Sequence, residues 1–413
     1  MGLMLFASMN LKPGIMENLL KNAWQLMFWK YLQVLSKQSP PMDLPAKEVP
    51  YLKRAYDGLE GPVSSFIETD KPDWIIQDFA PYWLPAIASR LDIPCCFFTI
   101  FNASVNCFFG PPSAFWESGE NDDSSIFETV DIKLSGVTDG HRISSAINGC
   151  AVMAIRSCLE VESEFLGLLE NLFKKHVIPV GLLPPTPPSP DTIDEADNHE
   201  EWVRMREWLD KQEQGSVVYI ALGSEATLGQ SELTELALGL ELSKLPFFWV
   251  LRKPVGSTGD LLSMLPVGFL ERTRGNGFMC MSWAPQMRIL QHPSIGGFLN
   301  HCGWSSVIEA LGFGCPLILL PMVNDQPLNA RTMVWKEMGL EIERNEEDGS
   351  FTRESVAKSL RKVMVDEDGE KYRLNARNLK DVFGNKLLND GYVQRFSHYL
   401  KEHKHGHTKT TNI

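Results

Sequence analysis

Three features of this sequence predict an α/β fold of two Rossmann-like lobes. Short apolar runs alternate with helical patterns, the signature of parallel strands joined by crossover helices. The 413 residues exceed the size at which one core usually keeps growing. Residues 184–191 read PPTPPSPD, and proline at that density favours an extended, semi-rigid spacer between halves. A ligand for a proline-binding module is the competing reading of that stretch.

Each element has its own signal. In the first half, residues 74–79 (WIIQDF) are predicted as a buried strand, 84–91 as a helix and 94–100 (PCCFFTI) as the next strand. In the second half, 216–222 (SVVYIAL) is predicted as a strand, followed by the turn GSEA and a helix over 231–245. Further strand–helix pairs are predicted to begin at 247–252, 277–283, 295–300 and 316–321. The domain plan that follows is 1–183, a linker over 184–200, a second domain over 201–385, and 386–413 as a returning helix with a polar tail. The helix around 390–401 contains YVQRFSHYL, amphipathic enough to dock on the first domain. Two such lobes leave a cleft, and open parallel sheets bind ligands at the carboxyl ends of their strands.

Bulk chemistry narrows the function classes. A net charge of −13 without a basic stripe argues against nucleic acid or an anionic membrane as partner. The eight cysteines show no CxxC or zinc spacing, and most lie in apolar runs, as expected of buried thiols in a reducing compartment. No apolar run reaches about 18 residues and the start MGLMLFASM lacks a basic n-region, so no membrane span or signal peptide is expected. A cytoplasmic monomer without a metal is the expectation.

Residues 283–326, WAPQMRILQHPSIGGFLNHCGWSSVIEALGFGCPLILLPMVNDQ, carry the chemistry. Trp283 precedes Ala284-Pro285 at the end of its predicted strand, where an indole can stack on a nucleobase for about 1–3 kcal/mol or sit in a core. The segment from His301 to Ser306 joins a strand to a helix, whose N-terminus offers N–H groups and a positive dipole end to a pyrophosphate without Lys or Arg. Gly303 allows close backbone approach there. Ser306 and Glu309 also have capping-box spacing. Asp325-Gln326 pairs an acceptor with an amide, a suitable reader of sugar hydroxyls. Cys302 beside His301 is not a nucleophilic dyad, because neighbours on a strand point to opposite faces.

These 44 residues resemble, nearly position for position, the signature box of the plant family 1 UDP-dependent glycosyltransferases. The resemblance runs from about residue 42 to 400 and implies a GT-B fold with a C-terminal domain that binds a UDP-sugar as co-substrate. It implies that Trp283 stacks on uracil, Ala284 pairs with the base through its backbone, and Gln286 lies beside the ribose. It further implies that His301 and Ser306 bind phosphate, Glu309 holds the ribose diol, and Asp325 and Gln326 read the hexose. Gly303 and Trp304 belong to the same donor site, and Ser224, in the GSEA turn, matches a residue near the phosphates. Ser305 stands where many relatives carry Asn. Gln at the end of the box is associated with glucose donors, a rule blurred by rhamnose-using relatives. The phrasing DFAPYWLP and HCGWSS is most like the branch that adds a sugar to a sugar already on an aglycone.

Members of the family invert the anomeric carbon. A His in the first strand-to-helix loop removes the acceptor proton, and an Asp orients it. Asp78 matches that Asp, although a strand-end Asp also caps helices. No histidine precedes His141, so the base is absent from its expected place. The first 40 residues look like a replacement for the first strand–helix unit, with 16–36 reading as one amphipathic helix. The neighbouring strand is therefore expected to lack a partner. Two functions follow: transfer of glucose or rhamnose to a hydroxyl of a plant metabolite or its glycoside, or a donor-binding protein without turnover. A dinucleotide oxidoreductase is disfavoured, because no GxGxxG follows a strand.

Overall fold

A computed structural model describes residues 4–7, 49–114, 137–187, 199–223, 228–252 and 261–404. The chain divides into two compact units, Met1–Leu183 with Leu387–Ile413, and Pro184–Lys386.

The first unit contains β1 (Met4–Ala7), α1 (Val49–Asp57), α2 (Glu60–Asp70), β2 (Trp74–Gln77), α3 (Leu84–Arg90), β3 (Cys95–Thr99) and α4 (Ala103–Phe109). It continues with α5 (Asp139–Gly149), β4 (Val152–Ile155), α6 (Leu159–Phe173) and β5 (His176–Pro179). The sheet order is β1-β2-β3-β4-β5, with β2 to β5 parallel. The expectation of an unpaired edge at β2 is corrected: Met4–Ala7 pairs with Trp74–Gln77 antiparallel. Those backbone groups are thereby satisfied without the parallel strand–helix unit that the resemblance implies. The helix expected over 16–36 lies outside the described residues.

Alternation along the strands builds two cores, as a sheet covered on both faces requires. Ile75, Cys95, Phe97, Met153 and Ile155 point to one side with Leu84, Ile87 and Ile147. Trp74, Ile76, Cys96, Phe98, Val152 and Ala154 point to the other.

The second unit contains α7 (His199–Leu209), β6 (Val217–Ala221), α8 (Gln230–Ser243), β7 (Phe247–Val250), α9 (Phe269–Arg272), β8 (Gly277–Cys280), α10 (Gln286–Leu290) and β9 (Ile295–Asn300). It continues with α11 (Trp304–Gly312), β10 (Leu317–Leu319), α12 (Gln326–Trp335), β11 (Gly339–Glu341), α13 (Arg353–Met364) and α14 (Glu370–Phe383). All six strands are parallel in the order β11-β10-β9-β6-β7-β8. The direction of winding reverses between β6 and β9, the place where open α/β sheets bind ligands.

The final helix, α15 (Lys386–Glu402), packs on the first unit's sheet. Val393, Phe396 and Leu400 complete the core around Trp74 and Phe98. Trp74 Nε1 donates to the Leu400 carbonyl at 2.8 Å, and Leu182 N–H donates to Asn389 Oδ1 at 2.6 Å.

Candidate donor site

Register brings the site together. Parallel pairing sets Ala221 of β6 opposite Asn300 of β9, so the turns that follow both strands lie side by side. Gly223 has φ +76°, and a Cβ there would lie 2.7 Å from His301 Cε1. A Cβ on Gly303 would lie 2.8 Å from His301 Nε2. The imidazole is thus clasped between two residues that have to lack side chains. Its Nδ1 is buried without a hydrogen bond. Burial pushes its pKa below the ordinary value, so the ring is neutral near pH 7.

Gly303 is the N-cap of α11 and offers no side-chain cap. Ser306 is the helix's third residue, not its cap, so the capping-box reading of Ser306 and Glu309 falls. Glu309 Oε2 instead accepts from Gln286 Nε2 at 2.6 Å. Gln286 Oε1 in turn lies 3.5 Å from the Tyr219 hydroxyl, on a buried ring stacked against Phe298 at 4.9 Å.

A cavity of ≈ 490 Å³ is lined by Gly223, Trp283, Ala284, Gln286, Ser306 and Glu309, together with Thr186, Tyr219 and Arg252. That volume is in the range of ordinary small-molecule sites. Trp283 does not close β8, which ends at Cys280. It stands three residues further on and is 58% exposed, and a tryptophan left so open on a cavity wall is no core residue. Arg252 was not singled out by sequence; a charged residue two positions past a strand end (FFWVLR) was the available signal. Ser305 is exposed beside Ser306. The indole of Trp304 is buried, edge-on to Phe383 at 6.4 Å, so the side chain belongs to the core. Ser224 lies outside the described residues.

Asp325 and Gln326 begin α12. Gln326 Oε1 accepts from the N–H groups of Met322 and Val323, both at 2.9 Å. Two donors on one oxygen fix the orientation of the amide and turn its nitrogen the other way as a donor. Asp325 Oδ2 accepts from Asn329 Nδ2 at 2.7 Å. Cys302 is fully buried, and burial raises its thiol well above the ordinary range, so no thiolate nucleophile exists there.

In the first unit, Asp78 Oδ1 accepts from Ala80 N–H at 2.9 Å. The helix α3 begins only after its N-cap Trp83, so Asp78 closes a turn and does not cap a helix. The Ala80 carbonyl accepts from Arg142 Nη1 at 3.1 Å, and Arg142 itself is buried and bidentate to Asp57. His141 packs edge-on to Tyr82 at 5.5 Å. Among the described residues, no three His, Cys, Asp or Glu side chains are grouped to hold a metal. No helix among them is long and apolar enough to cross a membrane.

Residues 187–388 match the family described as UDP-glucoronosyl and UDP-glucosyl transferase. UDP-glycosyltransferase 91D2 of Stevia rebaudiana is 42% identical over 404 residues, covering 92% of this chain and 84% of its own. This chain belongs to the plant UDP-glycosyltransferases. Soyasaponin III rhamnosyltransferase of Glycine max is 40% identical over 384 residues, with 88% and 80% of the two chains covered. A UDP-glucosyltransferase from Polygonum tinctorium, described as capable of glucosylating indoxyl, superposes with a TM-score of 0.71 at 23% identity, covering 88% of this chain and 84% of that one. That likeness places this glycosyltransferase in the GT-B fold class.

Proposed function

We propose that the chain transfers a hexose, glucose or rhamnose, from a UDP-sugar to a hydroxyl of a plant secondary metabolite or its glycoside, with inversion. The cavity beneath Trp283 carries the proposal. Its indole offers a face to uracil, the Gln286–Glu309 pair offers a carboxylate to the ribose diol, and α11 turns uncapped N–H groups and a dipole toward a pyrophosphate. Ala284 would pair with the base, His301 and Ser306 would contact phosphate, and Asp325 with Gln326 would read the sugar. Acceptor oxygen then attacks C1, the C1–O bond to the pyrophosphate breaks, and UDP leaves with the electron pair. The acceptor's proton passes to solvent water, since the histidine that Asp78 would orient is absent from its expected place. No metal is required if the helix end and His301 carry the charge of the leaving group. Two of the solved neighbours are complexes with UDP and with UDP-glucose, which supports the donor assignment. The eight unbridged cysteines support a reducing, cytoplasmic setting, and we take the monomer as the working unit.

A donor-binding protein without turnover is the second reading. The observation that favours it is the lack of any histidine before His141, since loss of a general base removes about 10²–10⁴ of rate. Melting curves with and without UDP test the common premise. Saturating UDP raises the melting temperature, and Trp283→Ala weakens UDP by about tenfold to a hundredfold, the equivalent of one stacked base. An unchanged melting temperature at millimolar UDP would sink both readings. With UDP-glucose and a flavonoid glycoside as acceptor, the anomeric configuration of any product, read by NMR, then separates turnover from binding.

A further inference from the structure

Behind the residues that would meet the donor lies a buried amide that the assignments above do not use. Asn329 is fully buried, and its Nδ2 donates in two directions. One hydrogen bond goes to Asp325 Oδ2 at 2.7 Å, the other to the Cys302 carbonyl at 3.0 Å. An NH₂ group has two protons, so each acceptor receives one. We infer that Asn329 is a positioning residue that ties the sugar-reading carboxylate of Asp325 to the pyrophosphate turn at Cys302. The inference rests on the donor-site reading of the cavity and extends it to hexose selectivity.

The geometry at both ends calls for such a tie. Cys302 has φ +67°, in the left-handed region that side chains other than glycine seldom adopt. Its N–H is held by Asn300 Oδ1 at 2.8 Å and its carbonyl by Asn329. That peptide aims His301 on one side and the head of α11 on the other. Asp325 is four residues before Asn329 on the first turn of α12, so the two side chains share a face. Turning the carboxylate away would forfeit a charge-assisted hydrogen bond. Its rotamer is therefore set before a donor arrives, which is the condition for reading one hydroxyl pattern over another.

The test is calorimetric, on the full chain, with UDP, UDP-glucose, UDP-galactose and UDP-rhamnose. Asn329→Ala is expected to weaken the UDP-sugars more than UDP itself, because Asn300 still holds the Cys302 N–H whereas Asp325 loses its tie to Asn329. The spread of Kd across the three UDP-sugars is expected to shrink by about tenfold, the equivalent of one discriminating hydrogen bond. Asn329→Ser serves if the alanine variant does not fold. Its single hydroxyl proton serves one acceptor only, and selectivity is expected to fall in the same way. If UDP weakens as much as every UDP-sugar, Asn329 only supports the fold and the inference is overturned. Unchanged selectivity overturns it as well. A wild-type chain that binds no UDP overturns the donor-site reading and this inference together, before any variant is needed.

Discussion

His301 shows how much one side chain owes to its neighbours. Two glycines clasp the ring, and burial lowers its pKa. Below about pH 6.5, the ordinary histidine value, unfolded chains take up a proton that the folded site resists. Folded-state stability is thus complete above that pH and is lost as pH falls below it. In the proposed donor complex a pyrophosphate beside His301 would reverse the balance, since nearby negative charge favours the imidazolium. UDP-glucose has no group of its own that titrates near neutrality, which makes it the cleaner probe. Its affinity is expected to rise as pH falls from about 7 to 5, with net proton uptake visible by calorimetry in buffers of different ionisation enthalpy. His301→Gln should remove both effects. Proton uptake that survives this substitution would assign it to another group.

At the scale of elements, strand ends and helix starts do most of the placing. Ile295–Asn300 forms as expected from its apolar run, and α11 starts where the small residues allow. Trp283 was expected at a strand end and stands in a loop, because hydrogen bonding of β8 to β7 stops at Cys280 and sequence period does not mark where a partner strand ends. Phe396 of the last helix, α15, is fully buried among Trp74, Phe98 and Leu400. Phe396→Ala is expected to cost about 3–5 kcal/mol of stability in the first unit, measured by denaturant unfolding. UDP should still protect the second unit, whose cavity contains no residue of that helix. Loss of UDP protection along with the first unit would show that the donor site depends on it.

At the scale of the molecule, a chain of net charge −13 has to bind an anion. Helix dipoles and backbone N–H groups act over a few ångströms, whereas the net charge repels over about a Debye length. Raising salt from about 10 to 150 mM screens that repulsion, so UDP-glucose association is expected to speed up or hold constant in stopped-flow measurements. A steep fall with salt would mean that a cation, Arg252 in particular, dominates the site.

The alternation of apolar runs and the crowded chemistry of residues 283–326 were legible because period and spacing are local properties of a chain. Sequence by itself determined the α/β class, the family, and five of the residues that line the cavity, Trp283, Ala284, Gln286, Ser306 and Glu309. Only tertiary structure decided that Gly223 seats His301, that β1 lies antiparallel on β2, that Trp304 turns into the core, and that Asn329 joins Cys302 to Asp325. Parallel pairing sets residues tens of positions apart side by side, and no local pattern records which of them will touch.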